Sequence, residues 1–496
     1  MVIADGAGFD ELDHWDIPEV QAGLVDRELS SVALSQRCRD RIDRLDPVLA
    51  AVLAVDPTAP AQAAASDERH AAGDDLGPLD GIPILVKDNI DTAGLASTAG
   101  SRLLAASPPS RDADVVTRLR SAGAVIVGKT NLSEWSNFRS TTATEGWSAV
   151  GGQTRNPYRL DRSPWGSSAG SAAGVAAGLA PLALGTETDG SIVGPAGVCG
   201  VVGVKPELGL LPAGGIVPIS TSQDTVGVLA SRVRDAAVCL SVLAGQPDLA
   251  AVGAPVVGQR LGLWLPPVTS HGVRVLLESA RTALQAAGTP VVDVDLEVPE
   301  ETITDGLFAL YAEFRPSIEG YLRTRSGVPR SLPEIIRANR ADPVELSVFG
   351  QDLFERIVDL PSTTVPAARA ARERARLEAR AVINDALRRH GIAGIMAPTN
   401  EPAWAVDHRR GDPSHPGSST LAALAGYPNV SVPAGLVGGL PVGISVFGPR
   451  TALRLLPLAM LVERRCGPRA WPDLGEVSRG GRGAPATAAS ASHVAS

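Results

Sequence analysis

The chain predicts an α/β fold. Short β-branched runs bounded by glycine or proline alternate with stretches of helical periodicity, and the Gly/Ala/Ser-rich segment from residue 163 to 211 carries too many branched apolar residues for a solvated linker. With 496 residues, 44% hydrophobic and 20% charged, the sequence has ample apolar material for a large core, which excludes a mainly disordered chain. Length alone suggests about three domains.

Leu24, Leu29, Val32, Leu34 and Ile42 recur near a 3.6-residue period among charges, so residues 1–60 are expected to form a helical N-terminal arm, broken at Pro47 and Pro57. Residues 81–86 form an apolar run that reads as a buried strand entering a loop at Lys87-Asp88-Asn89. Residues 114–121 read as a helix ended by Gly123, and residues 124–127 as the next buried strand. Residues 172–179 suit a tightly packed small-residue helix and 182–184 a short strand. A long helix is expected from Pro366 to Arg389, closed by His390, and core strands at 395–398 and 429–433. Residues 476–496 are rich in Gly, Ala and Ser and are expected to be disordered.

A net charge of −9 and the absence of a basic cluster argue against nucleic acid as a partner. The first sixteen residues lack a basic start followed by an apolar run, and no stretch is apolar enough to span a bilayer, so a cytoplasmic protein without a membrane partner is expected. Cys38, Cys199, Cys239 and Cys466 are scattered and fit neither a disulfide framework nor a zinc site. The seven histidines form no cluster with metal-ligand spacing. Neither a metal nor an organic cofactor is implied.

Residues 123–130 spell a P-loop, G-x-x-x-x-G-K-[ST]. In a P-loop the strand precedes the first glycine and the intervening residues cradle phosphate. Here those four residues are themselves the β-branched strand, so a nucleotide-binding reading ranks last.

Lysine occurs only at positions 87, 129 and 205, and only lysine, not arginine, can shed its proton near neutral pH. Two serine-rich loops accompany it: Gly166-Ser167-Ser168-Ala169-Gly170-Ser171, and Thr188-Asp189-Gly190-Ser191. A serine nucleophile needs a base, and a buried neutral lysine can serve. Moving a lysine from about 10.4 to about 7.4 takes roughly 4 kcal/mol of differential stabilisation. The backbone N–H groups of Thr188, Asp189, Gly190 and Ser191 can be aimed at one point, as an oxyanion hole requires.

On these residues the sequence resembles the amidase signature family, serine hydrolases with a Ser-Ser-Lys triad. The markers are Gly81-Ile-Pro-Ile-Leu-Val-Lys87-Asp-Asn-Ile90, Gly128-Lys-Thr-Asn-Leu-Ser-Glu134, the serine-rich loop, and Cys199-Gly-Val-Val-Gly-Val-Lys205-Pro206. The resemblance places the lysine at Lys87, the bridging serine with its cis peptide bond at Ser167, and the acyl-forming nucleophile at Ser191, 24 residues on. It implies a single large domain, residues 61–475, built on a central mixed twisted sheet covered on both faces by helices. Asp189 stands where the family usually has glycine and Val193 where it often has arginine; both are similar to the bacterial peptide amidase branch, as are Glu134-Trp-Ser-Asn-Phe-Arg139 and Gly151-Gly-Gln-Thr-Arg-Asn-Pro-Tyr158. Trp165 departs from the small residue the family prefers there.

The expected function is therefore hydrolysis of a carboxamide to carboxylate and ammonia through an acyl-enzyme, on C-terminal peptide amides or amino-acid amides. The partner is the amide substrate, and a homodimer is admitted. The rival is a glutamine-hydrolysing subunit of a tRNA-dependent amidotransferase. Lys129, Lys205 and Cys199 read as structural residues, and for Asp189 the backbone N–H is favoured over the side chain.

Overall fold

The computed structural model describes residues 16–246, 258–361, 363–413 and 417–475. In chain order the strands are β1 (Val52–Val55), β2 (Pro83–Lys87), β3 (Val125–Thr130), β4 (Trp147–Ser148), β5 (Gly152–Gln153) and β6 (Leu182–Glu187). They continue with β7 (Val202–Lys205), β8 (Thr225–Ala230), β9 (Leu261–Leu263), β10 (Val291–Asp293), β11 (Gly394–Pro398), β12 (Asn429–Val437) and β13 (Leu440–Phe447). All but the β4/β5 ribbon join one sheet in the order β1-β3-β2-β6-β8-β7-β12-β13-β11-β9-β10. The sheet is mixed: β2 runs parallel to β3 and β6, and β9 parallel to β10 and β11, while the other pairs are antiparallel.

Alternation along the strands explains why both faces are covered. Ile84 and Val86 enter one buried cluster while Leu85 enters another; Leu182 and Leu184 face one side and Ala183 the other. A strand with apolar residues on both sides needs helices on both sides. The helix Asp114–Ser121 has the predicted bounds and buries Val115, Val116 and Leu119. Gly123 follows at φ +76°, and a Cβ there would collide with buried Asp80. The small-residue helix spans Ala169–Ala176 with every residue buried, and the long helix spans Thr364–His390.

The N-terminal region is helical at Ile17–Val25 and Ser31–Leu49, but residues 52–55, expected within a helical arm, form strand β1 at the sheet edge against β3. The second helix passes Pro47 and ends at Ala50, φ +49°. Asp46 sets that end: its carboxylate accepts the amides of Ala51 at 2.7 Å and Val52 at 3.1 Å, turning the chain into β1. Residues 1–15 of the arm and the tail 476–496 lie outside the described residues. Among the described residues no helix is long and apolar enough to cross a membrane.

The P-loop spelling is resolved by the same sheet. Residues 125–130 are β3, and the Lys129 amine is buried, donating to the Ile90 carbonyl at 2.7 Å and the Ser97 hydroxyl at 2.8 Å beside Asp88 at 3.3 Å. Its donors are consumed by the loop after β2, which excludes a phosphate cradle.

Candidate active site

Lys87 is the last residue of β2, held between parallel neighbours β3 and β6. Its side chain is fully buried, and Nζ donates to Ser167 Oγ at 2.7 Å, Thr186 Oγ1 at 2.9 Å and the Thr186 carbonyl at 3.4 Å. Burial pulls the amine down to about 7, against the opposing pull of Glu145, Asp224 and Glu187. Burial disfavours the charged form, and among the described residues no carboxylate is close enough to form an ion pair that restores it.

Ser167 follows a cis Gly166–Ser167 peptide bond and precedes the helix Ala169–Ala176. Gly166 is required at that point: a Cβ would overlap the Ser133 hydroxyl and the Glu145 carboxylate. Ser168 ties the two serine loops together. Its amide donates to the Ser191 carbonyl at 3.1 Å, and its hydroxyl donates to the Thr186 carbonyl at 3.2 Å.

Ser191 lies between β6 and the helix Val193–Val198, partly exposed in a cavity of about 160 Å³. Glu187 shapes the turn that carries it. The buried carboxylate accepts the amides of Ile192 at 2.7 Å and Val193 at 3.0 Å, curling residues 188–191 outward. Among the described residues the amides of Thr188, Asp189, Gly190 and Ser191 donate to no protein acceptor. Unpaired backbone N–H groups beside a serine are available as donors to an acceptor in the cavity. Lys205 sits behind this turn, its amine pulled down by burial and held up by Glu187 and Asp189.

Lys87 and Ser167 are thus hydrogen-bonded, and Ser191 shares their loop system. The Ser191 hydroxyl makes no hydrogen bond to Ser167 among the described residues.

Several neighbours escaped the sequence reading. Thr186 accepts from both Lys87 and Asn89 Nδ2, the latter at 2.9 Å. Asp224 accepts the Thr188 hydroxyl at 2.6 Å, and Gln223 donates to the Thr188 carbonyl at 2.9 Å. Glu145 accepts from the Ser133 hydroxyl and, at 2.9 Å, from Asn137; burial and the Asp412 carboxylate push it up to about 8. A glycine-rich turn or a lysine is visible in a sequence, whereas a lone threonine or glutamate gives no signal until the fold closes around it. The Asp189 side chain is also engaged: it accepts from Ser419 at 2.6 Å, anchoring the turn to the helix Ser419–Ala425. Cys199 is buried with its thiol pushed up, the opposite of an activated nucleophile.

Trp165, at φ +54°, lines the Ser191 cavity with Phe138, Ile219 and Leu310, and its ring meets Trp404 edge-on at 5.6 Å. His408 is exposed and does not line this cavity; His415 lies outside the described residues.

The amidase family model matches residues 33–452. A probable amidase of Arabidopsis thaliana is 36% identical over 482 residues, covering 90% of this chain and 89% of that protein. A glutamyl-tRNA(Gln) amidotransferase subunit of Symbiobacterium thermophilum is 35% identical over 470 residues, covering 88% of this chain and 94% of that protein. The crystal structure of native peptide amidase from Stenotrophomonas maltophilia superposes with a TM-score of 0.88 at 42% identity, covering 94% of this chain and 99% of that one. The sheet order, the site and the extent of these matches lead to one conclusion: the chain belongs to the amidase signature family and is a hydrolase of amide C–N bonds.

Proposed function

We propose that the protein hydrolyses C-terminal peptide amides or amino-acid amides through an acyl-enzyme on Ser191. The observation that carries the mechanism is the fully buried Lys87 amine, drawn down to about 7 and bonded to Ser167 at 2.7 Å. Neutral Lys87 accepts the Ser167 proton while Ser167 accepts that of Ser191, whose oxygen attacks the carboxamide carbon. The oxyanion rests on the free amides of residues 188–191. The proton returns through Ser167 to the leaving nitrogen, the C–N bond breaks, and ammonia departs. Water then attacks the ester along the same relay, yielding the carboxylate.

The substrate class rests on the 42% identity to a peptide amidase and on the apolar lining of the Ser191 cavity. Phe138, Trp165, Ile219 and Leu310 offer apolar area to a side chain next to the carboxamide, and remote contacts of this kind orient the reacting group. The amidotransferase relatives favour glutamine as the competing substrate. Ammonia release from an N-blocked dipeptide amide, glutamine, short aliphatic amides and urea discriminates the two. The dipeptide amide is expected to have the highest kcat/KM. A preference for glutamine supports the amidotransferase reading, and equal turnover of urea or aliphatic amides refutes the peptide assignment while sparing the relay.

A further inference from the structure

A cavity larger than the Ser191 pocket lies next to it. About 700 Å³ in volume, it lies on the other side of the 216–224 segment, where Ile219 faces the Ser191 cavity and Pro218, Ser222 and Asp224 line the larger one. Its size suits a small-molecule ligand. Five arginines line it: Arg325 and Arg372 are almost fully buried in its wall, Arg376 is half-buried, and Arg111 and Arg369 are exposed at its rim.

The charges in this wall are not evenly used. Asp224 accepts the Thr188 hydroxyl and the amides of Ile219 at 2.8 Å and Ser220 at 3.0 Å. Glu313 accepts the hydroxyls of Ser220 and Ser222 and faces Arg372 at 3.4 Å; Asp91 accepts from Tyr321 at 2.8 Å and faces Arg325 at 3.4 Å. Glu373, the fourth carboxylate, faces Arg376 at 3.4 Å. The guanidinium groups outnumber the carboxylates, and Arg111 and Arg369, exposed at the rim, form no ion pair among the described residues. A wall whose carboxylates are engaged and whose rim carries unpaired guanidinium groups is matched to an acceptor-rich ligand.

The cavity also connects to the turn before Ser191. Arg372 donates to the Gln223 side-chain carbonyl, and Gln223 donates in turn to the Thr188 carbonyl at 2.9 Å. We propose that this arginine-lined cavity binds a small oxyanion, carboxylate or phosphate, and that its occupancy alters turnover through the Arg372–Gln223–Thr188 chain. The second half of that statement rests on the reading of residues 188–191 as the oxyanion site; the first half does not.

Calorimetric titration of the Ser191→Ala protein with succinate and with inorganic phosphate, at constant ionic strength in chloride, tests binding without any turnover. Saturable binding of at least one probe is expected, weakened at least tenfold in the Arg369→Gln/Arg376→Gln double variant, whose melting transition reports that it remains folded. No saturable binding of either probe, or an affinity untouched by the double variant, overturns the site. In the active protein the bound probe is expected to change kcat at least twofold, and Gln223→Met to abolish that response while the probe still binds. A bound probe that leaves kcat unchanged overturns the coupling.

Discussion

Replacing Lys87 by methionine isolates the electrostatics of the proposed base. The amine is held at about 7 against an ordinary 10.5, and at about 1.4 kcal/mol per pH unit that difference amounts to about 5 kcal/mol of penalty on the charged form. The unfolded chain keeps this proton up to its ordinary value, while the folded chain releases it near 7. Between those limits the unfolded state binds more protons, so the lysine makes stability rise with pH, and below about 7 its full penalty is felt. Methionine fills similar space and does not titrate. The stability of wild type relative to Lys87→Met should therefore improve by about 3 kcal/mol from pH 7 to 9.5, measured by urea denaturation at both values. In parallel, wild-type kcat/KM should fall tenfold per unit below pH 7 and level off above, because only the neutral amine accepts a proton. Glu145 titrates close by and favours the charged lysine, so the apparent value belongs to the pair; Glu145→Gln should move the profile to lower pH. An activity profile flat from pH 6 to 8, with a wild-type-to-methionine difference independent of pH, would refute the neutral-lysine mechanism.

Ser191→Ala should lower turnover by several orders of magnitude and remove any acyl adduct seen by mass spectrometry, with an unchanged melting curve. Gly166→Ala should cost about 1–3 kcal/mol by urea denaturation, because its Cβ meets Ser133 and Glu145, and kcat should fall with it. Asp189→Ala, which frees the turn from Ser419, should lower kcat about tenfold or more with little change in KM, and Asp189→Asn, which retains an acceptor for that hydroxyl, should recover most of the loss.

The strands legible from the sequence are those whose pattern is set by apolar burial alone: β2, β3, the first half of β6, β11 and the first half of β12. β8 and β13 were hidden by their glycines and a proline. Glycine adds nothing to an apolar pattern, and the structure uses Gly227 and Gly443 for close approach; a Cβ at Gly227 would strike the Val204 carbonyl, and one at Gly443 the Ser431 hydroxyl. β9 and β10 are three residues each, too short for any period to register. In the site, Lys87 was conspicuous through the scarcity of lysine and the two serine loops through their composition. The groups that tune them arrive from distant segments: Glu145 acts on Lys87 across the chain, Thr186 lies 99 residues from Lys87, and Ser419 lies 230 residues from Asp189. Such pairings depend on the order in which strands are laid into the sheet, which no local pattern encodes.

The sheet order also divides the labour along the gene. Lys87, Ser167, Thr186, Ser191 and Asp224 all come from the stretch that builds β2, β6 and β8, three adjacent strands. The helix Glu300–Leu322, on the far side of β8 in sequence, supplies Leu310 to the Ser191 cavity and none of the proposed proton-transfer groups. One wall of the pocket is therefore encoded apart from the chemistry, while Phe138, Trp165 and Ile219 share the stretch that carries it. Variation confined to that helix can recut the acyl pocket while the strands that set the lysine's protonation stay untouched, so libraries built at Leu310 and its helical neighbours should yield altered substrate preference with an unaltered pH–rate profile.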